Sequence, residues 1–110
     1  MAAGRWNLRF EKTPEKIFFA YKTANDAMAP LFQGGDIVIG MTGIEKYGEL
    51  SGKVVIAKVK GLGIVIRHYN RQEKKTVLTS LNPSFPPMIL STGEIEWLHP
   101  VKGIYREFIP

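Results

Sequence analysis

The chain of 110 residues contains no cysteine. Disulfides, thiolate zinc sites and cysteine nucleophiles are therefore excluded together. Long apolar runs are also missing: the densest, Val54 to Ala57 and Ile64 to Ile66, fall far short of the ~20 residues a membrane-spanning helix requires. No membrane partner is expected. The amino terminus lacks a basic stretch followed by an apolar core and a cleavage site, so a cytoplasmic protein is expected. Histidine is scarce, and His68 and His99 lie far apart with no cysteine to join them. Each reads as an ordinary hydrogen-bonding side chain, so neither metal nor cofactor is expected. The GxSxG, P-loop and HExxH spacings are absent, and Ser51, Ser80, Ser84 and Ser91 are scattered at turns or strand ends. Those hydroxyls read as local backbone partners rather than nucleophiles.

What is present is the mix of an ordinary globule, with 45% apolar and 23% charged residues, and the length suits one domain. Fifteen Lys and Arg against ten Asp and Glu leave a formal charge of +5, which suits polyanionic neighbours or simply a solvated surface. Apolar residues arrive in short runs rich in Val, Ile, Phe and Tyr, punctuated by Gly, Pro, Asn and Lys. This pattern predicts strands at Ile17 to Thr23, Asp36 to Gly40, Lys53 to Lys60, Gly63 to Asn70, Thr76 to Leu81, Glu94 to Leu98 and Val101 to Phe108. The fold class is mostly β, with several twisted antiparallel strands and one short helical turn near Asn25 to Leu31 that Pro30 limits. Gly61 and Gly63 between two apolar runs predict an antiparallel hairpin, and the consecutive apolar residues on both its strands predict burial on both faces. Asn82, Pro83, Pro86 and Pro87 belong to a loop. Residues 1–16 read as an arm or linker remnant, and residues 17–110 as the domain.

The informative stretch runs from Asn25 to Ile39, with Asp26, Met28, Pro30, Phe32, Gly35 and Asp36 at set spacings. It resembles the signature of the LexA and phage-repressor superfamily of self-cleaving serine proteins, which reads Asp-Ser-Met-x-Pro-x-(Phe/Leu)-x-x-Gly-Asp before a β-strand. Gly52, Val54, Val55 and Ala57 are similar to that superfamily's Gly-x-(Val/Ile)-Val-x-Ala strand. Gly63 to Tyr69 resembles its x-x-Val-Lys-Arg-x-Tyr strand, Leu81 to Pro87 its Glu-Asn-Pro-x-(Tyr/Phe)-x-Pro loop, and Val101 to Arg106 its closing strand. Five elements in the same order together cover roughly Ile17 to Phe108. The resemblance implies the C-terminal domain of a LexA or phage CI-type repressor, with the β fold shared by LexA and signal peptidases.

In that superfamily a serine attacks a peptide carbonyl while a desolvated neutral lysine takes the hydroxyl proton. The resemblance puts the serine at Ala27 and the lysine at Ile66, neither of which can do this chemistry. A trapping Ser→Ala change would account for Ala27 alone, so natural loss of the dyad is expected and no catalytic residue is assigned. The chain is then a self-association domain, forming a homo-oligomer, dimeric and of higher order. The resemblance further implies an N-terminal helix-turn-helix domain that reaches operator DNA, for which no recognition-helix pattern exists in these residues, and an antirepressor protein as a further partner. The interface candidates are Trp97, Leu98, Tyr105, Phe108 and Ile109, apolar groups near the carboxyl end. Two other readings stand beside this one. One is a working Ser/Lys autoprotease in inactivated form. The other is a small basic β-barrel on which Lys58, Lys60, Arg67, His68, Arg71, Lys74 and Lys75 meet nucleic acid and Tyr69 stacks on a base.

Overall fold

Four consecutive apolar residues in one strand can be satisfied only if protein covers both sides of it, and the fold is built around that requirement. A computed structural model describes residues 8–9, 17–42 and 47–105. Its strands are β1 (Leu8–Arg9), β2 (Ile17–Lys22), β3 (Ile37–Met41), β4 (Lys53–Val59), β5 (Gly63–Gln72), β6 (Lys75–Thr79), β7 (Met88–Ser91) and β8 (Ile95–Tyr105). They form one antiparallel sheet in the order β1-β2-β3-β8-β4-β5-β6-β7. Short 3-10 turns occupy Tyr47–Leu50 and Thr92–Glu94. Among the described residues no helix is long and apolar enough to cross a membrane.

β4 divides its side chains between two cores. Ile56 joins Phe19, Tyr21, Met28, Phe32, Val38 and Ile66, whereas Val55, Ala57 and Val59 join Leu50, Tyr69, Leu78 and Leu98. The alternation of the pleat makes this division automatic. β4 and β5 form the expected hairpin, with Ile56 opposite Ile66, and Gly61 and Gly63 take the left-handed φ values of +77° and +99° that its turn demands.

β8 links the two halves of the sheet. Its first part pairs with β4 and its second with β3, and Pro100 stands at the changeover, opposite Val55. The sequence predicts two strands here, divided at His99 and Pro100, but the chain runs through as one. A proline lacks the N–H that a central ladder needs, and the changeover between neighbours is where that loss is tolerated. Three further details separate the structure from the sequence reading. Asn25 to Leu31, expected as one short helical turn, is a run of turns: Ala29 N–H bonds Asp26 O at 3.0 Å and Phe32 N–H bonds Met28 O at 3.0 Å, and Pro30 has no N–H with which to extend them into a helix. Met88–Ser91 is an additional edge strand on β6, directly after Pro86 and Pro87, which do lie in a loop. Within the presumed arm, Leu8 and Arg9 pair with Phe18 and Ile17, so that part of it extends the sheet.

Gly40 marks the tightest approach in the first core. A Cβ there would lie 2.6 Å from Phe19 Cζ and 3.0 Å from Ile56 Cδ1. Gly40→Ala should therefore destabilise the fold by about 1–3 kcal/mol, the usual range for overpacking, as a lower urea midpoint with an unchanged slope. An unchanged midpoint would mean that the Phe19 ring is not fixed.

Candidate functional site

The segment with the signature spacing wraps into a compact set of turns whose hydrogen bonds account for most of its special residues. Asn25 Oδ1 accepts the Ala27 N–H at 3.0 Å, Asp26 Oδ1 accepts that of Gly34 at 2.7 Å, and Asp36 Oδ2 accepts that of Gln33 at 2.9 Å. These are the local side-chain bonds that Asn and Asp supply to turns. Gly35 has a φ of +95°, and Met28 and Phe32 drop into the first core as anchors. The main chain closes the base of the segment through Thr23 N–H to Asp36 O at 2.8 Å and Gly35 N–H to Thr23 O at 3.0 Å.

The Asn-Pro loop reaches the same place. Asn82 donates its backbone N–H to Ala27 O at 2.9 Å and its side-chain Nδ2 to Asp26 O at 3.1 Å. Its own Oδ1 accepts the Ser84 N–H at 3.0 Å. Position 27 is thus held from both sides, by Asn25 on its N–H and by Asn82 on its carbonyl.

The third wall is β5. β6 pairs only with His68 to Gln72, so the stretch from Gly63 to Arg67 has no strand partner on the side away from β4. The turns pack against that free edge, where the Tyr21 hydroxyl lies 3.4 Å from Ile64 O. Burial pushes that phenol above its ordinary pKa. A pocket of about 30 Å³ lies between turns and strand, lined by Tyr21, Thr23, Asn25, Ala27, Ile66 and Arg67 among others. Ala27 and Ile66, separate in sequence, are thus brought to one pocket, 1% and 6% exposed.

Sequence reasoning missed the depth of Arg67. It counts there as one of several surface cations, yet it is only 7% exposed. Its Nη1 donates to Ile66 O at 2.8 Å, its guanidinium carbon lies 5.9 Å from the centre of the Phe85 ring, and its Nε is buried without a hydrogen-bond partner. Desolvation lowers its pKa from the ordinary arginine value. The preceding Ile66 and following His68 gave no sign of this, because a sequence does not say that a loop carrying Phe85 will close over the residue.

The interface candidates are dispersed. Leu98 is 1% exposed and belongs to the second core, so it is corrected from contact residue to core residue: on a strand it must face opposite to its neighbour Trp97. Trp97 is half-buried and stacks on His99 at 4.8 Å between ring centres. Tyr105 is 55% exposed at the end of β8, and Phe108 and Ile109 lie outside the described residues. Exposed Leu31 and Ile104 flank an open depression near Tyr105, where Lys53, Val54 and Val101 also contribute.

The basic residues do not form one patch. Lys58 faces Glu96 at 3.8 Å, His68 Nδ1 is 3.1 Å from Asn70 Nδ2, and Lys60 and Lys74 sit in turns at opposite ends of β5, about 30 Å apart at the usual strand rise. Tyr69 is 2% exposed and packs in the second core, so it is not available to stack on a base.

Comparison with known proteins agrees with this geometry. Transcription regulator LexA of Synechocystis sp. is 29% identical over 94 residues, an alignment covering 84% of this chain and 45% of that protein. The chain therefore spans about half the length of that relative. A family model described as Peptidase S24-like matches residues 4–102, which take in the turns, the Asn-Pro loop and the free edge of β5. On that match the chain belongs to the Peptidase S24-like family.

Proposed function

We propose that the chain is the non-catalytic, C-terminal self-association domain of a temperate-phage transcriptional repressor, acting in the cytoplasm of the bacterial host to maintain lysogeny. The observation that carries this reading is the content of the pocket: at the meeting point of turns and strand stand a methyl group, a butyl group and a guanidinium. Ala27 has no hydroxyl to attack with. Ile66 has no site for a proton. The family's Val-Lys-Arg run also fits Ile66, Arg67 and His68, one residue further along, and in that register the lysine's place is taken by Arg67. The outcome is the same, because a guanidinium stays protonated at any working pH and cannot act as the base. Either register leaves the domain without a dyad.

A domain that keeps this fold without its chemistry still joins what is attached to it. Linking two DNA-reading domains turns the second half-site contact into an intramolecular event and raises apparent affinity without a new base contact. The relative's description as a transcription regulator supports this role. Operator DNA would be met through an N-terminal domain, and an antirepressor protein would replace self-cleavage as the route to induction. The surface favoured for association is the end of β8, where Tyr105 and Ile104 are exposed beside Leu31 and the second half of the strand has β3 as its neighbour while its other side opens into the depression. Trp97 lies on the earlier half of the same strand.

Two measurements test the reading. Sedimentation velocity across a wide concentration range should show mass rising beyond the monomer, and Tyr105→Glu with Ile104→Glu should weaken association at least about tenfold, the effect of losing roughly 1.4 kcal/mol. A monomer at every concentration would refute the self-association role. Prolonged incubation of the chain at alkaline pH should leave it whole by mass spectrometry, since the pocket pairs no serine with a lysine and burial keeps the Tyr21 phenol protonated beyond its ordinary range. A single discrete cut would restore the autoprotease reading.

A further inference from the structure

Arg67 is a buried cation in a pocket with no acid in its walls. None of the residues lining the pocket is Asp or Glu, and Arg67 makes no ion pair among the described residues. Removing a charge from water without a partner is expensive, and arginine has no neutral form to retreat to. One donor is used, Nη1 on Ile66 O. The side-on edge of the group, Nε and Nη2, has no partner among the described residues, and Nε is shielded from water. The Nη2 donors are of the charge-assisted kind that a carboxylate accepts best. Phe85 under the guanidinium holds its plane without competing for its protons.

One neighbouring side chain offers further donors. Asn25 lines the pocket with its Oδ1 committed to the Ala27 N–H, which leaves its Nδ2 donors unclaimed among the described residues. The Thr23 hydroxyl is committed to Gln33 O and contributes nothing further. The pocket of about 30 Å³ has room for two or three water-sized centres, enough to admit the head of a small anion. Ala27 matters here for its small size, because any longer side chain at that position would take up the space.

From this geometry we infer that the pocket between the Thr23–Met28 turns and the free edge of β5 is a carboxylate-binding site with Arg67 as its cation. The inference goes beyond the association reading and does not depend on it, since the pocket and the exposed end of β8 are lined by different residues apart from Phe32. The carboxylate has two sources, a free small acid or an acidic side chain of a partner protein.

Titration of the whole chain with sodium acetate, followed by 1H–15N spectra, should give saturable shifts of the Arg67 Nε–H and Ala27 N–H signals that sodium chloride and sodium sulfate at matched ionic strength do not reproduce. The blocked peptide acetyl-Ala-Glu-Ala-amide separates the sources: saturation at tenfold lower concentration than acetate assigns the site to a partner's side chain, and equal or weaker binding assigns it to a free acid. Arg67→Gln should abolish the response. Should that variant fail to fold, Ala27→Val, which fills the pocket and keeps the guanidinium, should abolish it instead. Absence of saturation with both acetate and peptide, a preference for sulfate, or an acetate response that survives pocket filling would overturn the proposal. None of these results alters the oligomeric mass, so failure of this site and failure of the association role are told apart.

Discussion

The structure depends on β4 being covered on both faces. Ile56 on one side and Val55, Ala57 and Val59 on the other commit the strand to the middle of the sheet, which obliges β8 and β5 to flank it. A strand so placed cannot slip by one residue without exchanging its two cores, so its register is fixed more firmly than that of an edge strand. The register of β4 then sets that of β5, with Ile66 opposite Ile56 and Arg67 opposite Val55. Everything at the pocket follows from that pairing, because β5 can present Ile66 to the first core only by carrying Arg67 across the opposite face.

The turns and the Asn-Pro loop reach this frame from distant parts of the sequence and lock onto each other rather than onto β5 alone. Asn82 accounts for the join: three hydrogen bonds made by one residue tie Ala27 O, Asp26 O and the Ser84 N–H together. Each is worth only about 0.5–1.5 kcal/mol net, but the groups they satisfy would be more expensive left unmade in a partly buried site. The result is a pocket whose shape is set by backbone contacts and whose chemistry is set separately by the side chains at 27, 66 and 67. Shape and chemistry can therefore diverge in a family without loss of the fold.

The division between what was legible in the sequence and what was not follows the range of the interactions involved. Short-range alternation and turn chemistry located the central hairpin, β2, β3 and β6 to within one or two residues, because β-branched runs bounded by Gly and Asn carry that information locally. The helical turn expected at Asn25 to Leu31 is present only as separate turn bonds, Ala29 N–H to Asp26 O and Phe32 N–H to Met28 O, because Pro30 interrupts them. β8 was divided at Pro100 because a proline in a strand is normally a stop, and only the sheet order reveals a changeover there. Leu98 and Tyr69 were placed at surfaces when strand parity buries them. At the site, the resemblance of the turns to a serine-containing signature pointed to Ala27, which lines the pocket, but the contact of Arg67 with Phe85, eighteen positions away and on another element, had no local signal.

Arginine and lysine differ most where water is excluded, and that difference bears on what this pocket can do. A lysine carried into such a site can release its proton, and the resulting amine is a base. Arginine keeps its charge under the same desolvation, so burial gives it no basicity and instead strengthens its attraction for any anion that reaches it. With a methyl group at 27, the role proposed for the pocket is holding a charge. Three features serve that role: a free strand edge that turns pack against, a neighbour small enough to leave space, and walls without an acid that would neutralise the cation.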